Sequence, residues 1–400
     1  MLKKKAGLFV LAVLLLFTVG GQFVWAAPDT STSPQSWDVN VSLAQNNEVS
    51  LFSMQPRTLI IHEGDTVKFA NNGGLAPHTV TFWGQTTPPT ADQIDESYAA
   101  PSAPSGSSWD GQTMLNSGIF FPGQSYTVTF TASGVFPYLC LLHSSMKGTI
   151  IVVPAGQPIP SKDEQQQEQA AKLKELDQQF ADLKKSRSVP SYEKNKNGSI
   201  TYTGYAGSGT PDLMINLYSP STFYINEGDT IKWVTDSHDF QFVLINLPKG
   251  FAAIDEKGEF NPLLEKPAGG PVFDGKEFVS SGAIMPDMSF QLTFAKAGTY
   301  TITDPLWNKT GKVIVAPKGA AKLVVNNVPV LTDVQVKQGQ TLIPASSLSQ
   351  ITSAKLVVGK NLTKYTINKK TYVSVVEIVN AIGGKYNWDS VIKTAVVTTK

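Results

Sequence analysis

Four side chains in this sequence have the types and spacing of a metal-binding site. Cys140, His143 and Met146 follow one another at three-residue intervals, and His78 lies upstream in the segment APHTV, residues 76–80. A thiolate and two imidazoles in a trigonal plane, with a distant axial thioether, are the ligands of a blue-copper centre. The sequence therefore predicts one type 1 copper ion per chain, bound by His78, Cys140, His143 and Met146.

The segments that position these residues are predicted to be strands. Residues 125–130 (SYTVTF) alternate in polarity, and residues 148–153 (GTIIVV) are mostly apolar. A strand that ends at Cys140, followed by a tight loop, brings three of the ligands together. His78 must then come from the end of a neighbouring strand.

A single cysteine and four histidines among 400 residues limit the chemistry. One cysteine excludes an intrachain disulfide, a four-cysteine zinc or iron–sulfur site, and a binuclear copper centre with two bridging cysteines. Four histidines are too few for the trinuclear cluster of a multicopper oxidase. The 33 basic and 32 acidic residues give no charge excess that would attract nucleic acid. These counts exclude those metal clusters, and the charge balance predicts that the protein has no nucleic-acid partner.

The sequence contains an internal repeat. Residues 58–69 read TLIIHEGDTVKF and residues 222–233 read TFYINEGDTIKW, at an offset of 164 residues. Four further markers keep this offset: Ser117-Gly118 with Ser281-Gly282, Pro122 with Pro286, Phe130 with Phe294, and Gly134 with Gly298. A shared register of this length predicts two copies of one domain, residues 36–155 and 198–317.

Each copy has short strands separated by Gly, Pro and Asn turns, which indicates a β-sandwich or barrel. Residues 84–116 are rich in Pro, Ser, Thr and Gly and predict a long loop over the first sandwich. The segment between the copies, residues 156–197, predicts a charged helical linker that starts at a Ser161–Glu164 capping box.

The linker helix has an apolar face formed by Leu173, Leu176, Phe180 and Leu183. We expect this face to pack on a neighbouring domain. A self-pairing coiled coil is disfavoured because the seam is shorter than three heptads.

Both ends of the chain have their own patterns. Residues 1–26 combine three lysines, an apolar core and the cleavage-like sequence VWA, which predicts a secretory signal peptide; retention as an anchor is the alternative.

Residues 320–400 alternate short strands with one helix near residues 375–382, which predicts a small α+β domain.

The first copy resembles the cupredoxin family, the blue copper proteins that include plastocyanin and amicyanin. The matching segments are EGDTVKF (63–69), APHTV (76–80), SGIFFPGQSYTVTF (117–130) and YLCLLHSSMKGTIIV (138–152). The resemblance implies a Greek-key β-sandwich for each copy, with His78, Cys140 and His143 as equatorial ligands and Met146 as the axial ligand.

The resemblance also implies how such a site would be used. The Thr79 N–H matches the position that donates to the thiolate sulfur, and His143 would lie at the protein edge. Leu141, Leu142, Leu75, Ala76 and Pro77 would form an apolar patch there for electron exit. A site with no open coordination position transfers one electron and catalyses no bond chemistry, so we predict that the protein is not an enzyme.

The second copy lacks this ligand set. Its corresponding loop, residues 300–311, contains no Cys, His or Met, so we expect a cupredoxin-like domain without type 1 copper. His238 lies near the place of His78 but four residues closer to the EGDT motif, and we interpret it as a remnant of that ligand.

The C-terminal unit resembles the small N-terminal domain of some copper amine oxidases, which recurs in secreted proteins of Gram-positive bacteria. The segments that carry this resemblance are VNNVPV (325–330), QTLIPASSL (340–348) and IVNAIGGKYNWDSVIKTAVV (378–397). The resemblance implies a fold and a role in surface attachment, with the cell wall as the candidate partner, and it implies no oxidase activity.

Three functions fit these observations. The first is an exported one-electron carrier that serves a redox partner protein at the cell surface. The second is copper binding for storage, delivery or resistance, and the third is a structural surface protein with a vestigial metal site. All three place the protein outside the cell, secreted or attached to the surface.

Overall fold

The computed structural model describes residues 28–399 except 47, 75, 90–92, 144 and 257–258. The predicted signal peptide, residues 1–26, lies outside these residues. Within the described part of the chain, no helix has the length and apolar character needed to cross a membrane. The protein is mainly β, as the sequence predicts.

Three successive stretches of the chain contain the strands and helices. The first β-unit contains β1 (Ser36–Asn46), β2 (Val49–Leu51), β3 (Thr58–His62), β4 (Thr66–Asn72), β5 (Thr81–Phe82), β6 (Ser107–Trp109), β7 (Leu115–Asn116), β8 (Ser125–Phe130), β9 (Gly134–Leu139) and β10 (Lys147–Val153). Helix α1 (Lys162–Ser186) follows it.

The second β-unit repeats the pattern of the first. Its strands are β11 (Ser191–Lys194), β12 (Ile200–Thr210), β13 (Leu213–Ser219), β14 (Thr222–Asn226), β15 (Thr230–Val234), β16 (Leu244–Ile245), β17 (Pro267–Ala268), β18 (Val272–Phe273), β19 (Val279–Ser281), β20 (Ser289–Phe294), β21 (Gly298–Asp304) and β22 (Lys309–Ala316).

The C-terminal unit is a seven-stranded sheet with one helix. It contains β23 (Ala321–Val325), β24 (Val328–Lys337), β25 (Gln340–Pro344), β26 (Tyr365–Ile367), β27 (Lys370–Ser374), α2 (Val375–Ala381), β28 (Lys385–Asp389) and β29 (Thr394–Thr398). The helix begins after the Ser374 cap and coincides with the one predicted from the sequence.

One sheet of eleven strands runs through both β-units. Its path is β18-β20-β15-β12-β13-β2-β1-β4-β8-β6, and β11 pairs with β12. Each unit is closed by a smaller sheet, β3-β10-β9-β5-β7 in the first and β14-β22-β21-β16-β19-β17 in the second. The units join where β2 pairs antiparallel with β13, with Leu51 opposite Leu213.

The internal repeat is visible in matching hydrogen bonds. The Gly64 N–H donates to the Phe130 carbonyl, and the Gly228 N–H donates to the Phe294 carbonyl. In each EGDT turn the Asp carboxylate also accepts a hydrogen bond from the backbone N–H three residues earlier, as Asp65 does from His62. His62 therefore ends a strand beside the turn, away from the predicted metal ligands.

The predicted long loop, residues 84–116, is more ordered than its composition indicated. It contains β6, which pairs in parallel with β8, and β7, which pairs with β5. Trp109 of β6 is 5% exposed and lies in the main hydrophobic core of the first unit.

Helix α1 begins at the predicted capping box, with Ser161 and Glu164 bonded reciprocally. Its apolar face covers the join between the units, because Leu176 packs with Leu51 of β2 and Leu213 of β13. At its C-terminus Arg187 pairs with Asp236 of the second unit. The helix thus packs on both units, in agreement with the expectation that it docks on a neighbour.

Lys322 links the second β-unit to the C-terminal unit. Its ammonium donates to the carbonyl of Ile392, 2.7 Å away, and to Oδ1 of Asn226, and its side chain is fully buried. Burial lowers the pKa of Lys322 from 10.5 to about 8.

This buried lysine predicts a pH-dependent stability. Between pH 8 and pH 10.5 the unfolded chain keeps the Lys322 proton while the folded chain releases it. The free energy of unfolding should therefore rise with pH, by about 2–3 kcal/mol across this window. Denaturant unfolding of the wild-type chain and of Lys322→Met over the window measures the contribution. Parallel pH profiles for the two chains would contradict it.

Candidate metal centre

Two backbone arrangements bring the predicted ligands together. Cys140 directly follows β9, its N–H donates to the Met146 carbonyl at 3.0 Å, and the Met146 N–H donates to the His143 carbonyl at 3.0 Å. These bonds close the loop just before β10. His78 precedes β5, and its backbone pairs with that of Phe120 in both directions.

The side chains of His78, Cys140 and His143 form one buried group. Their donor atoms all lie within 4.8 Å of one another. Nδ1 of His143 is 3.6 Å from Sγ of Cys140, Nδ1 of His78 is 3.9 Å from that sulfur, and the two Nδ1 atoms are 3.1 Å apart. Met146 is fully buried in the same core cluster as Cys140.

These separations suit a single copper ion. Nitrogen donors at about 2.0 Å and a sulfur donor at about 2.3 Å from a shared metal, spread in a plane, would be about 3.5–3.7 Å apart. The N···S and N···N distances of the group bracket this range. The donor set of one thiol and two imidazoles is also the one copper prefers for electron transfer.

The sulfur of Cys140 accepts a backbone hydrogen bond. The Thr79 N–H lies 3.4 Å from Sγ, which confirms the expectation for this position. The Thr79 hydroxyl in turn accepts from the N–H of Leu141, 2.8 Å away. Thr79 therefore ties the His78 segment to the Cys140 loop and stabilises negative charge on the sulfur.

The buried imidazoles set the ionisation of this group. Burial raises the pKa of Cys140, but hydrogen bonds and charge from His143 and His78 outweigh it and hold that pKa well below its usual value. Burial lowers the pKa of His78. Burial also lowers the pKa of His143, but hydrogen bonds and charge from Asp239 and Cys140 outweigh it and raise that pKa to about 9. Without a metal, the group is therefore a thiolate beside a protonated His143, and copper binding would displace a proton from this ring.

His143 does not lie at an exposed edge, so the expectation drawn from the resemblance is wrong. It is only 7% exposed, because the second β-unit covers it. Of the expected apolar patch, Leu142 is 45% exposed, Ala76 is buried, and Leu75 lies outside the described residues. No sequence pattern predicts this cover, because it depends on the pairing of β2 with β13.

The cover consists of side chains that approach the two imidazoles. Phe52, which follows β2, contacts the rings of His78 and His143 edge-on, with centroids 5.4 and 4.7 Å away. His238 of the second unit stacks on Phe52, with centroids 5.2 Å apart. Trp307 and Met214, also from the second unit, are buried in the core cluster of the first.

His238 is not the counterpart of His78. The backbone bridge between Gln241 and Ile284 in the second unit repeats the bridge between His78 and Phe120 in the first, so Gln241 takes the place of the ligand. Nε2 of His238 instead contacts the carbonyl of Thr210. Between the EGDT motif and this position, the second copy is one residue shorter than the first. A constant offset of 164 residues therefore does not align Gln241 with His78.

The second unit carries an ion pair where the first has its donor group. Asp304 is the last residue of β21, and it corresponds to Cys140, which directly follows β9. Lys309 is the first residue of β22, and it lies close to the position that Met146 has just before β10. Nζ of Lys309 is 3.1 Å from Oδ2 of Asp304 and also contacts Oε1 of Gln241. The second unit therefore has the side-chain nitrogen of Lys309 where the first has its donor group. The absence of copper from this unit stays a prediction.

The fold and the donor group define a class: β-sandwich proteins with a mononuclear copper site of one thiolate and two imidazoles. Residues 39–153 match the family described as copper binding proteins, plastocyanin/azurin family. Plastocyanin of Scenedesmus fuscus is 32% identical over 117 residues, which are 29% of this chain and 99% of that protein. Chloroplastic plastocyanin of Chlamydomonas reinhardtii is 36% identical over 99 residues, which are 24% of this chain and 56% of that protein.

The chain therefore belongs to the plastocyanin/azurin family of copper-binding proteins. Family and donor group together support one copper ion per chain. Proteins of this family are electron carriers and not enzymes, so the prediction of a non-enzymatic protein is confirmed.

Solved structures similar to this chain include forms of amicyanin. A reduced Cu(I) form of an amicyanin mutant is 21% identical and covers 30% of this chain and 82% of its own, with a TM-score of 0.20. An oxidised mutant form is 20% identical and covers 32% of this chain and 97% of its own, with a TM-score of 0.20.

Proposed function

We propose that this protein is an exported blue copper protein that transfers single electrons through one site. The observation that carries the proposal is the buried group of His78, Cys140 and His143, with donor atoms within 4.8 Å of one another. By the resemblance, these three residues are the equatorial ligands and Met146 is the axial one. Copper in this site would supply reversible one-electron oxidation and reduction.

The protein's own residues favour electron transfer over bond chemistry. Cys140 and His78 are fully buried. The Cys140 N–H donates to the Met146 carbonyl and the Thr79 N–H donates to the Cys140 sulfur, which fixes the loops that carry these residues. Rigid ligands change little in geometry when the charge at the site changes, and burial keeps substrates away from the centre.

The proposed partner is a redox protein at the cell surface. Export is supported by the signal-peptide pattern of residues 1–26, and attachment to the surface of a Gram-positive bacterium by the resemblance of residues 320–400 to a domain of secreted proteins. We further propose that each β-unit is a cupredoxin-like Greek-key domain, the second without copper.

Reconstitution with Cu(II) tests the proposed site. The full chain should bind one equivalent and develop an intense visible band from thiolate-to-copper charge transfer. A chemical reductant should bleach this band and an oxidant restore it, with one electron per chain. A chain that stays colourless with Cu(II) would overturn the assignment of the ligands.

Copper storage or delivery is a second candidate, because one observation favours it. His143 is covered by the second β-unit, whereas an electron carrier of this family is expected to expose that ligand. Rapid electron exchange between the loaded protein and small redox proteins supports the carrier. A blue protein that exchanges electrons slowly but surrenders Cu(I) to an acceptor protein supports storage or delivery.

A further inference from the structure

Asp239 of the second β-unit contacts a predicted copper ligand of the first. Its Oδ2 lies 3.5 Å from Nε2 of His143. The opposite ring nitrogen, Nδ1, faces the sulfur of Cys140 at 3.6 Å. The two nitrogens of His143 thus contact groups from different units of the chain.

The Asp239 carboxylate is held in position by its own loop. Its Oδ1 accepts from the N–H of Phe240 at 3.2 Å, which leaves Oδ2 for His143. The carbonyl of Phe240 accepts from the indole N–H of Trp307 at 2.8 Å. Because Trp307 is buried in the core of the first unit, this loop is fixed against the donor group.

The Asp239 carboxylate beside Nε2 determines which ring nitrogen of His143 has a lone pair available to bind a metal ion. A neutral imidazole carries one proton, and an acceptor at Nε2 keeps the proton there, so the lone pair of Nδ1 faces the thiolate. His78 has no such partner: within the described residues, its buried Nε2 makes no hydrogen bond. Of the two imidazoles, therefore, only His143 is oriented by a carboxylate.

We propose that Asp239 is a positioning residue of the copper centre, which the second β-unit therefore completes. This inference rests on the proposed function, because it assumes copper at the donor group. Partners of this kind orient ligands, and their loss typically weakens metal binding by about 10- to 100-fold. The negative charge of Asp239 also favours Cu(II) over Cu(I).

Copper-loaded full-length Asp239→Asn tests this role, since the amide keeps the shape of the side chain and loses its charge. The dissociation constant for Cu(II), measured by chelator competition, should rise about 10- to 100-fold. The reduction potential should shift to a higher value. Asp236→Asn is the matched control: it removes the same charge three residues away, where the carboxylate pairs with Arg187.

The outcomes separate this inference from the proposed function. A wild-type chain without the visible band refutes the proposed function itself. A blue wild-type chain, with Asp239→Asn and Asp236→Asn alike in affinity and potential, overturns the role of Asp239. So does an Asp239→Asn chain that is less stable without copper but unchanged in potential, because its contribution would then be structural only.

Discussion

Cys140→Ser should abolish the visible band of the copper-loaded protein. The thiolate is the source of the charge transfer, and the serine hydroxyl stays protonated and binds copper weakly. The Thr79 N–H, 3.4 Å from the sulfur, also loses its anionic acceptor. Absorption and electron-spin spectra after addition of Cu(II) measure the loss. Chelator competition should show binding weakened by more than the about 10- to 100-fold that loss of an outer-shell partner of a ligand typically costs.

The control for this change is His62→Gln. His62 is also a buried imidazole, but its Nε2 contacts the carbonyl of Gln157 at 2.7 Å, and it is not one of the three grouped donors. This variant should keep the band and its intensity. An unchanged band in Cys140→Ser would show that copper binds elsewhere, and the site would have to be reassigned.

Lys309→Met should strongly destabilise the second β-unit. The substitution leaves the carboxylate of Asp304, which is fully buried, without its cation, whose Nζ lies 3.1 Å from Oδ2. Breaking a buried pair by removing one partner costs about 3–5 kcal/mol. Denaturant unfolding followed by fluorescence of Trp307 and its neighbours should report the loss as a lower midpoint.

Two further variants make this result specific. The double variant Lys309→Met/Asp304→Asn removes both charges and should recover a large part of the lost stability. Lys312→Met, on an exposed position of the same strand, should have little effect. If Lys309→Met is as stable as Lys312→Met, the Lys309–Asp304 ion pair does not stabilise the second unit. It then does not replace a metal ion in that role.

The donor group could be recognised in the sequence because most of its residues are close together in the chain. Cys140, His143 and Met146 lie in one loop, and the loop closes through hydrogen bonds between its own residues. The capping box of α1 and the helix after Ser374 were predictable for the same reason. Patterns within about ten residues contain enough information to define such elements.

The cover over His143 could not be predicted because it depends on contacts between distant segments. Asp239 and His143 are 96 residues apart in the chain, and they meet only because β2 pairs with β13. Short strands such as β2 carry a weak sequence signal. The equivalence of Gln241 and His78 could not be predicted either. The second copy is one residue shorter before Gln241, so a constant repeat offset aligns His78 with the wrong residue.

The pairing of β2 with β13 also determines how the two halves of the molecule can move. To swing apart, they would have to break the backbone ladder from Val49 to Leu51 and leave a bare strand edge on each side. The apolar face of α1 would lose its packing at the same time. The second β-unit therefore covers the donor group as a fixed wall and not as a hinged lid. In the proposed electron carrier, an electron that leaves on this side would tunnel through protein that belongs to the same chain.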